Sequence, residues 1–227
     1  MTEGPTGSLD PQARQALRTV LDLLASERAS VSSITEPDRA WKVHVADSLT
    51  GLEVEALREA GRIADIGSGA GFPGLVLAVA LPQAEVDLIE SVGRKCEFIQ
   101  RAIDAAGISN ARVLSVRSEE IATGNARESY DAVTARAVGR LSTLAELASP
   151  LLRRDGVLVA WKGKRNPDEE SQLDRACEQL AMHPEQILDV GDRAGSKHRH
   201  LHVIRKLGPT PPDLPRRPGI AKKRPRG

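Results

Sequence analysis

The 227-residue sequence predicts an α/β fold with a mostly parallel sheet of seven strands, an antiparallel last strand and preceding N-terminal helices. Three observations predict it. From residue 62 onward, short apolar segments alternate with segments of helical periodicity, which is typical of parallel strands joined by helices. A glycine cluster follows the first strand. No helical segment separates the last two strands, so the last strand can pair in the antiparallel direction.

The individual elements follow from local signals. Asp10 and Pro11 combine a capping acid with a proline at the first helical position, which predicts a helix over 11–26. A second helix is predicted from Thr35 to Leu49. The predicted strands cover residues 62–66, 85–90, 111–116, 130–135, 156–161, 186–190 and 201–205, and the helices between them run to about residue 80 and over 92–106, 141–152 and 167–182.

Charge divides the chain into regions. Its net charge is +1, yet residues 205–227 contain eight Lys and Arg residues and one acid, Asp213. We therefore expect an N-terminal helical extension (1–60), an α/β domain (61–207) and a basic, proline-rich tail (208–227). Such a tail is typical of proteins that bind a phosphate-rich partner. A solvated chain end that favours solubility is equally compatible with this charge. Prolines from Pro209 onward argue against a regular helix there.

Composition excludes several classes of protein. Hydrophobic residues make up 40% of the chain, enough for a core, but no apolar stretch is long enough to span a membrane. The N-terminus carries Glu3 and Asp10 and lacks the apolar segment of a secretory signal. Cys96 and Cys177 are far apart, which excludes a disulfide framework and a cysteine-based zinc site. We therefore expect a cytoplasmic protein without a membrane partner.

Three alternating histidines raise the question of a metal. His198, His200 and His202 would share one face of a strand, and three imidazoles can bind zinc. We expect a solvent-facing edge at this position and no metal.

The glycine loop is the strongest functional signal. Residues 65–74 read DIGSGAGFPG and lie between the first strand and its helix, where open α/β sheets bind ligands. Residues 69–74 match the dinucleotide spacing G-x-G-x-x-G, but in the register that begins at Gly67 the third glycine is replaced by Phe72. An acid at the strand end, Asp65, favours a ligand with a cationic head and no phosphate. Glu90, at the end of the second strand, can accept hydrogen bonds from ribose hydroxyls.

This loop resembles motif I of the class I S-adenosylmethionine-dependent methyltransferases, which have a Rossmann-like fold. More narrowly, the chain resembles the bacterial small-subunit rRNA guanine-N7 methyltransferase family, also called glucose-inhibited division protein B. The matching segments are the glycine loop, HVADSL at 44–49, YDAVTARA at 130–137, WKG at 161–163 and LPRRPGIAKKRP at 214–225. Their combination is specific to this family, whereas the glycine loop alone is specific only to the superfamily.

The resemblance implies roles for particular residues. It implies that Gly67 and Phe72 line the methionine and nucleoside part of the cofactor, that Glu90 binds ribose, and that Ser118 and Glu119 bracket adenine. The complete expected cofactor set is Asp65, Gly67, Ser68, Gly69, Gly71, Phe72, Glu90, Ser118, Glu119 and Arg136. The expected substrate-positioning set is His44, Asp47, Arg136 and Lys162.

The predicted function is transfer of a methyl group from S-adenosylmethionine to N7 of a guanine in the 530 loop of 16S rRNA. Guanine N7 carries no proton, so the reaction requires no general base. The partner is 16S rRNA or the small ribosomal subunit, and we expect a monomer. Three alternatives stay open: an NAD(P)-dependent oxidoreductase, a non-catalytic rRNA-binding assembly factor on the same fold, and a methyltransferase with a small-molecule or protein substrate. His44 and Asp47 could instead be a pair on a helix surface.

Two departures from the family pattern concern the substrate side. Ser30-Val31-Ser32 stands where the family usually has Asn-Leu-Thr, and Val43 stands where a basic residue often precedes the histidine.

Overall fold

The computed structural model describes residues 9–27, 34, 36–191 and 198–227. The segment Ser30-Val31-Ser32 and the predicted helix start at Thr35 therefore lie outside the described residues. Within the described part, the fold is a seven-stranded α/β sheet with helices on both faces. No helix in that part has the length and apolar character needed to cross a bilayer.

The N-terminal region forms a helix and a series of short helical turns. Helix α1 (Pro11–Ser26) begins where predicted, because the Asp10 carboxylate accepts a hydrogen bond from the Ala13 N–H. The following turns are α2 (Pro37–Ala40), a π-helical turn (Trp41–Ala46), α3 (Asp47–Leu49), a 3₁₀ turn (Thr50–Glu53) and α4 (Glu55–Arg58). The π-helical turn contains His44, and π-bulges occur frequently at functional sites.

The sheet has the predicted number of strands and the predicted antiparallel last strand. Its strands are β1 (Arg62–Ile66), β2 (Glu85–Glu90), β3 (Ala111–Ser115), β4 (Tyr130–Arg136), β5 (Leu152–Lys162), β6 (Met182–Asp189) and β7 (His200–Lys206). The spatial order is β3-β2-β1-β4-β5-β7-β6, and β7 runs antiparallel to both of its neighbours. The order of parallel strands reverses between β1 and β4, which is where this class of sheet binds its ligand.

Helices cover both faces of the sheet because successive strand residues point to opposite sides. Ile63 belongs to an apolar cluster with α1, and its neighbour Ala64 belongs to a second cluster on the other face. The connecting helices are α5 (Gly74–Ala80), α6 (Gly93–Ala106), α7 (Ser118–Ile121), α8 (Leu141–Ala148) and α9 (Pro167–Glu178).

The C-terminal region differs from the sequence-based expectation. A short helix, α10 (Ile220–Lys223), forms in a proline-free stretch, so the expectation of no regular helix from Pro209 onward is wrong for these four residues. Leu214 and Ala221 are buried against the domain. Lys206, at the end of β7, is fully buried, and its ammonium group donates hydrogen bonds to the Ser149 carbonyl and the Thr210 hydroxyl. Burial lowers the pKa of Lys206 to about 8.

Candidate active site

Most backbone N–H groups of the glycine loop are already hydrogen-bonded within the protein. Those of Gly67 and Ser68 donate to the Ile89 carbonyl, and that of Gly69 donates to the Glu90 carboxylate. The N–H groups of Gly71 and Phe72 donate to the Ser68 carbonyl. A loop that cradles phosphate must leave such groups free. This loop therefore does not fit a pyrophosphate.

Glycine is required at two loop positions in particular. Gly67 has φ +66°, and a Cβ there would lie 2.8 Å from the Val138 side chain. Gly71 has φ +89°, and a Cβ there would lie 2.4 Å from Leu75 Cδ1. Both positions combine a left-handed backbone with close packing, so only glycine satisfies them. Gly69 is also left-handed, at φ +62°, but the space around it is open.

Asp65 organises the loop from inside the protein. It is fully buried, and its carboxylate accepts hydrogen bonds from Thr134 Oγ1 at 2.9 Å and the Gly74 N–H at 3.1 Å. Burial raises the pKa of Asp65 to about 6, although the bond from Thr134 opposes this shift. The carboxylate thus faces its own loop and helix α5, and a direct contact with a cationic ligand head requires rearrangement of these bonds.

Glu90 borders a cavity at the carboxyl ends of β1–β3. Its carboxylate accepts hydrogen bonds from the N–H groups of Gly69, Ser91 and Val92 at 2.8–3.0 Å. The adjoining cavity has a volume of about 150 Å³ and includes Gly67, Glu90, Ser118 and Glu119 among its lining residues. Apolar side chains such as Ile89 and Val116 complete the walls, so the site combines carboxylates with surfaces that can pack against a purine.

On the other side of the loop, Phe72 connects it to a buried ionic cluster. Its ring stacks on His44 with centroids 4.6 Å apart, and the Arg136 guanidinium lies 5.6 Å from the Phe72 centroid. Arg136 Nη1 donates to Asp47 Oδ2 at 2.9 Å and to the Val43 carbonyl at 2.8 Å. His44 and Asp47 are both buried, so they do not form a helix-surface pair.

The hydrogen bonds of His44 define its protonation state. Arg136 Nη2 lies 3.1 Å from His44 Nδ1, and an arginine can only donate, so Nδ1 must accept. Nε2 then carries the proton and donates to the Ile34 carbonyl at 3.2 Å. Burial, together with the charge of Arg136, lowers the pKa of His44 to about 4. The imidazole is neutral near pH 7, and both of its nitrogens are engaged.

Arg199 is a member of this cluster that sequence reasoning missed. Its Nε lies 2.7 Å from Asp47 Oδ1, so two arginines flank one buried carboxylate. About a quarter of the Arg199 side chain (23%) is exposed, against 12% for Arg136. Arg199 stands between His198 and His200, and the alternation of these histidines is the sequence pattern that lies nearest to it.

Lys162, the remaining member of the expected substrate-positioning set, lies apart from this cluster. Lys162 Nζ donates to Glu169 Oε1 at 2.6 Å and to the Gly139 carbonyl at 3.0 Å, so it ties the loop after β4 to α9.

The three alternating histidines do not lie on a solvent-facing edge as expected. His202 is buried in β7, which is an interior strand, so that expectation is wrong. His198 lies in a turn before that strand. The described residues contain no group of three His, Cys, Asp or Glu side chains that could hold a metal.

Comparisons with known proteins agree with this geometry. The family model for GidB, rRNA small subunit methyltransferase G, matches residues 14–201. The chain belongs to this family. It is 40% identical to ribosomal RNA small subunit methyltransferase G of Rubrobacter xylanophilus, over 96% of this chain and 88% of the relative. It is 33% identical to the protein of that name from Bacillus subtilis, over 96% of this chain and 92% of the relative.

A solved structure supports the fold. A SAM-dependent O-methyltransferase from Thermotoga maritima matches with a TM-score of 0.60 and 14% identity, over 85% of this chain and 72% of that one. The predictions of a class I methyltransferase fold, of an rRNA methyltransferase and of S-adenosylmethionine as its methyl donor are confirmed. The family match removes the oxidoreductase alternative, in agreement with a glycine loop in which most N–H groups are already hydrogen-bonded within the protein.

Proposed function

We propose that this member of the rRNA small subunit methyltransferase G family methylates N7 of a guanine in the 530 loop of 16S rRNA. In this proposal it acts in the cytoplasm, as a monomer and without a metal. The observation that carries the proposal is the junction at Phe72, where a glycine loop suited to a non-phosphate ligand packs against a cluster of two arginines.

The cofactor side is assigned to the glycine loop and Glu90. Bound S-adenosylmethionine would supply an electrophilic methyl group on a positively charged sulfur. Two carboxylates, Asp65 behind the loop and Glu90 at the cavity, favour a cationic sulfonium over a pyrophosphate at this position. Glu90 and the residues Ser118 and Glu119 would hold the nucleoside, while the left-handed glycines permit close approach of the backbone.

The substrate side needs alignment rather than proton transfer. Guanine N7 offers a lone pair without losing a proton, so a base would have nothing to remove. The neutral, fully engaged His44 suits this requirement, because it supports Phe72 and Arg136 without acting as a base. Correct alignment of nucleophile and methyl group can contribute several kcal/mol to rate acceleration, up to about 7–11 in ideal systems.

Asp47 acts as a positioning residue in this proposal. Its carboxylate is buried between Arg136 and Arg199, so it orients the two guanidinium groups and does not contact RNA itself. Arg199 is the more exposed arginine and is the better candidate for a phosphate contact. Lys162 would have to leave Glu169 to touch RNA, which gives it a smaller role.

Mapping the modified base tests the proposal. We expect 16S rRNA from cells that contain the gene to carry one N7-methylguanine in the 530 loop, detected by cleavage specific for that base. Deletion should abolish the cleavage, and the purified enzyme with S-adenosylmethionine should restore it on small subunits from the deletion strain. Unchanged cleavage after deletion would contradict the proposal. Loss of cleavage that the purified enzyme with S-adenosylmethionine fails to restore would indicate an assembly factor.

A further inference from the structure

The C-terminal segment 214–224, here called the C-terminal arm, reaches the cofactor cavity. Gly219 and Lys222 line this cavity together with Glu90, Ser118 and Glu119. The sequence predicted only that the basic tail attracts phosphate. Its position at the cavity indicates a second role that charge alone does not suggest.

The arm is anchored by a buried ion pair. Arg216 Nε and Nη2 donate to the two oxygens of Glu146 at 2.5 and 2.6 Å, and the side chain of Glu146 is only 2% exposed. This bidentate geometry is the strongest form of the arginine–carboxylate contact. Arg127 adds a hydrogen bond to the Leu214 carbonyl at 2.8 Å, and the Leu214 side chain is buried. The anchors hold the arm in one position against the domain.

The arm also holds one of the residues expected to bracket adenine. The Gly219 N–H donates to Glu119 Oε1 at 2.8 Å, while Ser118 donates to the other oxygen, Oε2, at 3.2 Å. Gly219 has φ +81°, and nothing lies within 4 Å of where its Cβ would be. Glycine is favoured at this position because its left-handed backbone directs the N–H toward Glu119, and not because a side chain would clash.

We propose that the C-terminal arm forms a wall of the nucleoside end of the cofactor site and fixes the carboxylate of Glu119. The proposal rests on the proposed cofactor site. Because the cavity of about 150 Å³ is smaller than usual ligand pockets, every wall of it is close to a bound nucleoside. The arm therefore contributes directly to cofactor affinity, although its first residue, 214, lies 140 positions after the last residue of the glycine loop, 74.

Calorimetric titration of the full-length protein tests the arm. The variant Arg216→Ala should bind S-adenosylhomocysteine about tenfold more weakly, as expected for loss of a charged hydrogen-bonding anchor. It should lose affinity for 5′-methylthioadenosine by the same factor, because that ligand keeps the nucleoside and lacks the amino-acid end. Arg217→Ala is the matched control, since Arg217 is exposed and has no ion pair among the described residues.

A second variant covers the case in which Arg216→Ala fails to fold. Gly219→Ala adds a methyl group in open space but disfavours the left-handed backbone, so it should weaken binding of both ligands without disturbing the core. If a folded Arg216→Ala or Gly219→Ala protein bound both ligands with wild-type affinity, the arm proposal would be overturned. A loss of affinity in Arg217→Ala as large as that in Arg216→Ala would overturn it too. If the wild-type protein bound neither ligand, the cofactor site itself would be wrong, which is a different failure.

Discussion

The two sides of Phe72 are built in different ways. On the cofactor side, backbone N–H groups and two carboxylates form the site, and most partners lie within a few residues or on the adjacent strand. On the substrate side, charged side chains meet from three distant parts of the chain, represented by Asp47, Arg136 and Arg199. The cofactor side therefore depends on backbone conformation and the substrate side on charge balance, so substitutions should damage them in different ways.

The largest effect is expected from Asp47→Ala. It leaves Arg136 buried with its counter-ion removed, which should lower the free energy of unfolding by about 3–5 kcal/mol. Urea unfolding measures this change. Asp38→Ala is the control, because Asp38 is exposed on α2 and should change stability by no more than about 0.5 kcal/mol. Equal effects of the two substitutions would mean that the cluster does not depend on charge balance.

Gly71→Ala should have the next largest effect. A left-handed backbone alone costs an alanine about 1–2 kcal/mol of folding stability, and the close contact of its Cβ with Leu75 adds to this cost. We expect the melting temperature to fall and binding of S-adenosylhomocysteine to be lost. Gly93→Ala, at an open position without a positive φ, should leave both properties intact. A Gly71→Ala protein with wild-type affinity would refute the conformational requirement.

Glu90→Gln should act mainly on the cofactor. An amide at this position can still accept hydrogen bonds from two of its three N–H partners, so stability should fall by about 1 kcal/mol. Affinity for S-adenosylhomocysteine should fall about tenfold through loss of the charged acceptor for ribose. Titration calorimetry compares this variant with Glu97→Gln, which changes an exposed acid on α6. A stability loss with unchanged affinity would limit Glu90 to a structural role.

The smallest effect concerns pH. The pKa of His44 is about 4 in the folded protein, below its ordinary value of 6.5, so unfolding takes up a proton between these values. This stabilising contribution is present above pH 6.5 and is lost as pH falls towards 4. His202 acts in the same direction, whereas Asp65, whose pKa is raised to about 6, acts oppositely. His44→Gln should therefore weaken the pH dependence of urea unfolding, and an unchanged slope would contradict the buried neutral state.

The difference between the two sides also explains what the sequence could predict. The glycine loop and strand order follow from local patterns, and the structure confirms the seven strands and the antiparallel last one. Strand β5 begins earlier than predicted, at Leu152, because Leu152 pairs with Tyr130 although exposed charged residues follow it. Strand β6 includes Pro184, which an edge strand tolerates because one side of it is unpaired.

Long-range partners could not be predicted in the same way. Arg199 and the anchor of the C-terminal arm, Arg216, depend on the partners Asp47 and Glu146, which lie far away in the sequence. A charge pattern indicates that the arm is basic, but it does not reveal which cations are neutralised inside the fold. Exposed cations of the arm without an ion pair among the described residues are Arg217, Lys222, Lys223 and Arg224. These remain available for the phosphate attraction that the sequence predicts.

One measurement tests the division between the two sides most directly. S-adenosylhomocysteine affinity and methyl transfer to small-subunit RNA are compared for Asp47→Asn and Gly71→Ala at a temperature where both proteins are folded. We expect that Asp47→Asn binds the ligand like the wild type but transfers little methyl, and that Gly71→Ala does not bind it. Loss of ligand binding in Asp47→Asn as severe as in Gly71→Ala would contradict the division.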